Sequence, residues 1–265
     1  MRIFRLIPLL LLLLASSCGL LPEQVDETKD WTAQQLYNEA KEELESSNYE
    51  RAIKLYETLQ ARYPFGRYAQ QAQIEVAYAY YRYEEPEQAI AAADRFIKMH
   101  PKHPNVDYVH YLKGLANFNR GIGILERFIP SKSAERDPGA AAQSFYYFEE
   151  LLQKFPDSKY AEDARQRMVY LRNNIAEYEL SVARYYFNRG AHIASVNRAQ
   201  KVVNNYQRTP SVPDALALMV ANYRVMEMND LASDAERVLR SNHPDHPSLT
   251  QVAEKSSWFK FKLFE

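Results

Sequence analysis

The chain has 265 residues, with 33 Lys or Arg against 34 Asp or Glu and a formal net charge of −1. This balance provides no basic excess for nucleic acid or another polyanion and argues against such a partner. Only 7 glycines and no sustained apolar alternation argue against β-sheets.

The first 17 residues have the pattern of an export signal. Arg2 and Arg5 precede the apolar run "LIPLLLLLLA", and Ser16 and Ser17 follow it. A membrane span would need about 20 apolar residues, so the pattern predicts a cleaved signal peptide over residues 1–17. The remaining chain is predicted to work outside the cytoplasm.

Cys18 is the only cysteine. In an exported chain it would pair between chains, stay free, or serve another purpose. The stretch "ASSC" resembles a bacterial lipobox, although Ala15 stands where Leu is commoner. The resemblance implies an S-diacylglycerol and an N-acyl lipid on Cys18, enough chains for stable anchoring. Gly19 rather than Asp after the cysteine resembles the sorting signal for the outer membrane.

Residues 18–30 are polar and without periodicity, which predicts a tether, and folding is expected to start near Trp31. From there the pattern is helical. In "ERAIKLYETLQARY", apolar residues lie at helical spacing on one face, namely Ala52, Ile53, Tyr56, Leu59 and Tyr63.

A repeat is visible in the echo of "RYPFGRYAQQA" by "KFPDSKYAEDA". Prolines that would close helices stand at 64, 101, 156 and 244, with Gln207 in a fifth equivalent slot. Twelve residues before each stands a small residue: Ala52, Ala89, Ser144, Ala232 and Ser195. Another small residue lies twelve earlier in three copies, at Ala40, Ala77 and Ala183. This is the layout of tetratricopeptide (TPR) repeats.

The repeat spacings predict an all-α TPR superhelical solenoid of about five helix-turn-helix repeats in two lobes. Residues 31–156 hold repeats 1–3, with a loop insertion near 120–139 that is rich in Gly, Pro and charge. Residues 157–250 hold repeats 4 and 5, and the stretch 161–187, without Pro or Gly, predicts one long connecting helix. In the tail, 251–265, Phe259, Phe261 and Leu263 alternate with lysines, so it either caps the last repeat or occupies a groove.

No catalytic or cofactor motif is found, so we expect a protein that is not an enzyme. Adjacent acids such as Glu84 and Glu85 point to different sides of a helix. The pairs in "HPKHP" and "HPDHP" occupy turn positions and have no third clustered ligand, so we predict no metal. The 20 tyrosines and 12 phenylalanines are the clearer signal. Most would fill the core, but some would line a peptide-binding groove.

Several longer motifs resemble the BamD family, also labelled ComL. They are "RYPFGRY", "DRFIKMHPKHPNVDYVHYLKGL", "YELSVARYYFNRGAHIASVNR" and "DALALMVANYRVMEMN", within a likeness from about Trp31 to Arg240. The resemblance implies a lipid-anchored protein on the periplasmic side of the outer membrane. It further implies binding to POTRA domains of BamA, association with BamC and BamE, and recognition of unfolded β-barrel proteins through their C-terminal strand.

The same resemblance implies two sets of site residues. The client groove would include Tyr63, Phe65, Gly66, Tyr68 and Tyr81, and the BamA contact would include Arg189 and Arg198. The alternatives are that Gly66 only makes a turn and that Arg198 pairs with a carboxylate of its own helix. A rival function is that of a TPR lipoprotein adaptor for cell-wall, competence or pilus machinery.

Overall fold

The computed structural model describes residues 26–119 and 138–250. The predicted signal peptide, Cys18, the first part of the tether, most of the predicted insertion and the tail 251–265 lie outside these ranges. No helix in the described ranges is both long enough and apolar enough to cross a bilayer.

The described residues form helices joined by turns. The helices are α1 (Ala33–Glu45), α2 (Tyr49–Arg62), α3 (Arg67–Arg82), α4 (Pro86–Met99), α5 (Val106–Phe118), α6 (Pro138–Lys154), α7 (Ala161–Asn188), α8 (His192–Asn205), α9 (Val212–Val225), α10 (Asn229–Asn242) and the short α11 (Pro247–Thr250).

Each helix from α1 to α9 packs against the next one along the chain. The first helices of neighbouring repeats also touch: α1 contacts α3, α3 contacts α5, and α7 contacts α9. Helix pairs stacked in this way make a superhelix whose first helices line the inner surface. The predicted all-α solenoid of five helix pairs is confirmed.

The small residues of the repeat lie where two helices cross. Ala52, Ala89, Ser144, Ser195 and Ala232 are all at most 3% exposed. The Ser144 hydroxyl donates to the Gly114 carbonyl at 2.8 Å, and the Ser195 hydroxyl donates to the Ala183 carbonyl at 2.8 Å. A larger side chain at these points would push the helices apart, because the interior is close-packed.

The second helix of each pair ends two residues before the proline slot of the repeat, at Arg62, Met99, Lys154, Asn205 and Asn242. Tyr63, His100 and His243 precede proline and have left the α-helical region, as expected for a residue that would clash with the proline ring. Tyr206 has a similar conformation before Gln207. The turn therefore forms without a proline in this slot.

Helix α7 is 28 residues long and belongs to two cores. Its first half contributes Ala164 and Leu171 to a cluster with Phe148 and Leu151 of α6. Its second half contributes Ala176, Leu180 and Ala183 to the core of the last two repeats. The lobe boundary expected near residue 157 therefore comes just before a helix that both lobes share.

Residues 26–31 are docked against α2, although the polar composition of residues 18–30 predicts a tether. The Arg62 guanidinium donates to the Thr28 carbonyl and pairs with the Asp26 carboxylate. The Tyr63 hydroxyl donates to the Trp31 carbonyl at 2.9 Å. We call residues 26–31 the N-terminal strap. The rest of the predicted tether, residues 18–25, lies outside the described residues.

Candidate functional site

The residues predicted for a client groove are distributed along α3 rather than gathered in one pocket. Tyr63, Phe65 and Gly66 lie in the turn before this helix, Tyr68 lies in its first turn, and Tyr81 lies in its last. Thirteen residues separate Tyr68 from Tyr81, which at 1.5 Å per residue is about 20 Å. The two ends of α3 therefore have different neighbours.

At the start of α3, Gly66 has φ of 99°, a conformation that side chains with a Cβ rarely adopt. The glycine thus does make a turn, and that turn leaves Phe65 90% exposed. Tyr68 is partly buried with its ring 5.5 Å from that of Tyr37, and the Arg67 guanidinium lies 4.8 Å above the Tyr68 ring. An exposed phenyl group beside an arginine and two tyrosines makes this end amphipathic.

At the end of α3, the Tyr81 hydroxyl accepts a hydrogen bond from the Asn119 side chain at 2.7 Å. Its ring lies 6.1 Å from that of Tyr78, whose hydroxyl accepts a hydrogen bond from Arg82 at 2.9 Å. Burial raises the pKa of the Tyr81 hydroxyl, so this group stays a neutral donor and acceptor near pH 7.

The aromatic surface continues onto α5 and α7, where the sequence motifs predict no site. The rings of Tyr111 and Tyr160 stack at 4.8 Å, and Phe118 lies 5.7 Å from Tyr170. The Tyr111 hydroxyl donates to the Asp163 carboxylate at 2.5 Å. Burial is the larger cause and this hydrogen bond the second of a rise in the pKa of Tyr111 to about 12. These ring pairs join α5 to the start of α7 across about 50 residues of sequence, so no local motif reveals them.

Arg198 pairs with a buried carboxylate of the neighbouring helix, not of its own. Its guanidinium donates to Glu179 of α7 at 2.8 Å, and the Lys201 ammonium donates to the other Glu179 oxygen at 2.6 Å. Glu179 is 4% exposed, whereas the Arg198 side chain is 40% exposed. Arg198 therefore joins α7 to α8 and keeps one face open to a partner.

Arg189 ends α7 at the turn before α8. Its guanidinium lies 5.5 Å above the ring of Tyr185 and donates to the hydroxyl of that residue at 3.3 Å. Exposed apolar side chains surround the turns at this edge of the last two repeats: Tyr185, Ile193, Val225, Met228 and Leu231. Exposed apolar groups beside an arginine are typical of a protein-binding surface.

The histidine pairs have structural neighbours. His100 contacts the Gln73 amide at 3.0 Å, and both His100 and His103 pack on the Phe96 ring at 5.1 Å. His246 contacts the Asp214 carboxylate at 3.0 Å. Within residues 26–119 and 138–250, no three His, Cys, Asp or Glu side chains are grouped as metal ligands would be.

A family model described as YfiO, outer membrane lipoprotein, matches residues 29–238. A protein of Neisseria meningitidis serogroup B named outer membrane protein assembly factor BamD is 45% identical over 245 residues, which cover 92% of each chain. Its namesakes in Xylella fastidiosa (strain Temecula1) and Vibrio cholerae are 37% and 34% identical. These matches cover 81% and 88% of this chain and 73% and 96% of theirs.

Among solved structures, a TPR protein of Thermus thermophilus aligns over 83% of this chain and 95% of its own at 13% identity, with a TM-score of 0.35. The fold assignment rests instead on the helix packing described above. The family model and the three relatives cover nearly all of the described helices and confirm the family resemblance seen in the sequence motifs. The chain belongs to the YfiO/BamD family of outer membrane lipoproteins.

Proposed function

We propose that this chain is a non-enzymatic scaffold of the β-barrel assembly (BAM) machinery and acts in the assembly of β-barrel proteins into the outer membrane. The observation that carries the proposal is 45% identity, over 92% of both chains, to a protein named as an assembly factor for outer membrane proteins. The fold supports a binding role, since stacked helix pairs present extended surfaces for other polypeptides.

Cys18 is the proposed anchor, with an S-diacylglycerol and an N-acyl chain that hold the protein on the periplasmic side of the outer membrane. The family description as an outer membrane lipoprotein supports this assignment. No other cofactor is proposed. Two or more acyl chains are needed because a single one gives only marginal, reversible binding.

The proposed client is an unfolded outer membrane β-barrel protein, bound by an extended segment along α3. Tyr68 and Tyr81 would contact the segment along the helix, and the turn of Tyr63, Phe65 and Gly66 forms the end of the groove. Tyrosines suit this task because each presents an apolar ring and a polar tip at a small entropic cost.

The proposed partner of the last two repeats is a POTRA domain of BamA, with BamC and BamE completing the complex. Arg189 and the open face of Arg198 would supply the charged contacts, beside the exposed apolar edge at Ile193. Apolar anchors with an adjacent arginine supply most of the energy in many interfaces.

The decisive test is depletion of the protein followed by complementation. We expect depletion to lower the amounts of unrelated barrel proteins in the outer membrane, and the intact chain to restore them. The double variant Tyr68→Ala/Tyr81→Ala should bind unfolded barrel proteins less well, whereas Tyr83→Ala, exposed at the turn after α3, serves as the control.

Affinity purification of the lipidated chain tests the partner. Recovery of a barrel protein with POTRA domains, reduced by Arg189→Glu, would support the proposal. Recovery of cell-wall, competence or pilus proteins alone, with barrel levels unchanged on depletion, would show that the chain is an adaptor for other machinery.

A further inference from the structure

Helix α3 turns its two faces to different neighbours. The Gln73 side chain contacts the His100 ring, just after α4, at 3.0 Å. The Tyr80 hydroxyl, seven residues further along α3, donates to Glu57 of α2 at 2.6 Å. Gln73 and Tyr80 therefore face the second helices, which form the outer layer of the solenoid. The opposite face of α3 is turned to the inner surface, and we call it the inner face.

Glu75 lies at the middle of the inner face. Tyr68, Glu75 and Arg82 follow one another at intervals of seven residues, close to two helical turns, so they share one side of α3. Glu75 points about half a turn away from Gln73 and Tyr80, and its side chain is half-buried. Along the helix axis it is about 10 Å from Tyr68 and from Arg82.

The Glu75 carboxylate has no cation to pair with. It accepts a hydrogen bond from the Gln71 side chain at 2.8 Å. Within residues 26–119 and 138–250, no lysine, arginine or histidine forms an ion pair with it. A half-buried negative charge on a surface proposed for polypeptide binding is thus left with one neutral partner.

The basic side chains of the same surface are engaged elsewhere. The Arg82 guanidinium donates to two tyrosine hydroxyls, and the Arg67 guanidinium lies above a tyrosine ring. Both are about 10–12 Å from Glu75 along the helix, which exceeds the Debye length of about 8 Å at physiological salt. On α1, Lys41 lies 3.8 Å from the Glu45 carboxylate. The charge of Glu75 is therefore not neutralised by its surroundings.

Tyrosines of neighbouring helices lie within reach of this charge. Burial raises the pKa of Tyr37 on α1 and of Tyr56 on α2, and the Glu75 charge adds to both rises. At Tyr108 on α5, burial and a neighbouring tyrosine raise the pKa first, and Glu75 adds to them. The buried Tyr56 hydroxyl has no hydrogen-bond partner in the part of the chain that the structure describes. The carboxylate thus lies among aromatic groups from both sides of α3.

An unpaired carboxylate among aromatic rings matches the side chain of a lysine or an arginine. The long methylene stem of these residues packs on apolar surface. Their charged end is attracted to the faces of aromatic rings and forms charge-assisted hydrogen bonds with a carboxylate. A neutral side chain would leave Glu75 unpaired, and an acidic one would be repelled.

We infer that Glu75 selects client segments that contain a lysine or an arginine, binding the charged end of that side chain while the Tyr37 and Tyr108 rings flank its stem. This inference rests on the client role proposed for α3 and adds a chemical preference to it. Tyr68 and Tyr81 keep their proposed contacts with the rest of the segment.

The test measures binding of fluorescent peptides to the full lipidated chain in detergent by fluorescence anisotropy. The peptides are short segments of an outer membrane β-barrel protein, each with one lysine, and matched forms carry glutamine or glutamate at that position. We expect the parent chain to bind the lysine peptides roughly 3- to 10-fold more tightly than the glutamine forms. This preference should weaken as the salt concentration rises.

Two variants of Glu75 isolate the charge. Glu75→Gln should remove the preference for lysine and leave the affinity for glutamine peptides unchanged. Glu75→Lys should reverse it, so that glutamate peptides bind more tightly than lysine peptides. Glu50→Gln is the matched control, because Glu50 is exposed in the first turn of α2 in the outer layer, and it should bind as the parent chain does.

The outcomes separate this inference from the proposed groove. Equal affinity of the parent chain for lysine and glutamine peptides would overturn the inference, as would a preference for lysine that survives in Glu75→Gln. In either case, weaker binding of all peptides by Tyr68→Ala/Tyr81→Ala would leave the groove proposal standing. If the parent chain binds none of the peptides, the groove proposal and the inference both fail.

Discussion

At the scale of single residues, Glu179 is the clearest case of a charge with an internal role. It is nearly inaccessible to solvent, and the Arg198 and Lys201 side chains reach it from the next helix. Burial alone would raise the pKa of this carboxyl, but the hydrogen bonds from Lys201 and Arg198 outweigh burial and keep the pKa below its usual value. Glu179 is therefore charged throughout the neutral range.

Glu179→Gln should lower the free energy of unfolding by about 1–3 kcal/mol at pH 7, since hydrogen bonds to a charged group are replaced by weaker ones. A carboxylate with a depressed pKa stabilises the fold above its unfolded pKa, and this contribution is lost as the pH falls through the folded value. Denaturant unfolding at pH 7 and at successively lower pH should therefore show the gap between the two chains closing below about pH 4.5.

The matched control is Glu177→Gln, two residues away on the exposed face of α7, which should change stability by less than about 0.5 kcal/mol. A gap for Glu179→Gln that stayed constant down to pH 3 would contradict the assigned charge state.

Sequence periodicity reveals the small residues at helix crossings but not Glu179. The small residues recur at a fixed interval, so a repeating pattern identifies them. A glutamate in a charged helical stretch has the appearance of a solvated residue, and only the crossing of α7 with α8 shows that it is enclosed. For the same reason the alternative partner expected for Arg198, a carboxylate of its own helix, is wrong.

At the scale of helices and turns, prolines and the absence of helix breakers predict most of the observed ends. The stretch 161–187 corresponds to α7, and each helix before a proline slot ends two residues earlier. The turns within repeats are harder to predict from the sequence. Ser47, Glu84, Gly190 and Glu227 share a positive φ at equivalent places, but only one of them is glycine. Packing of the helix pair imposes the conformation, so residue type does not reveal it.

Asn174→Pro is the corresponding test of α7. Proline there removes the hydrogen bond to residue 170 and clashes with its carbonyl, at a cost of about 3 kcal/mol or more. Because the substitution lies between the part of α7 packed on α6 and the part packed on α8, we expect the single unfolding transition to divide into two.

Calorimetry with Asn174→Ala as the control gives the readout, since alanine favours the helix and should preserve one transition. A single cooperative transition in the proline variant would mean that other contacts, not the continuity of α7, couple the two lobes.

At the scale of the whole molecule, the N-terminal strap determines where the chain leaves the solenoid. A polar segment without periodicity predicts a linker, and nothing local shows that Arg62, more than 30 residues later, binds it. The order of repeats and the family are predictable from the sequence because their signals are periodic or long. The docking of the strap depends on contacts between residues far apart in the chain, so it is not predictable from the sequence.

Arg62→Ala should release the strap. Amide hydrogen exchange of residues 26–31 is expected to become faster. Helices α3 to α5 should keep their protection, because the Arg62 side chain joins the strap to the first repeat. Arg51→Ala is the control, since Arg51 pairs with Glu43 and Glu39 of α1 instead. Unchanged exchange in Arg62→Ala would show that the contacts of Trp31, including the hydrogen bond from the Tyr63 hydroxyl, are enough to hold the strap.

The shared helix α7 also has a mechanical consequence. Twenty-eight residues make a rod of about 42 Å with no break between its two packed halves. A tilt of about 5° imposed at one end would displace the other by roughly 4 Å over that length. A load applied to the last two repeats would thus be transmitted to the first three as leverage.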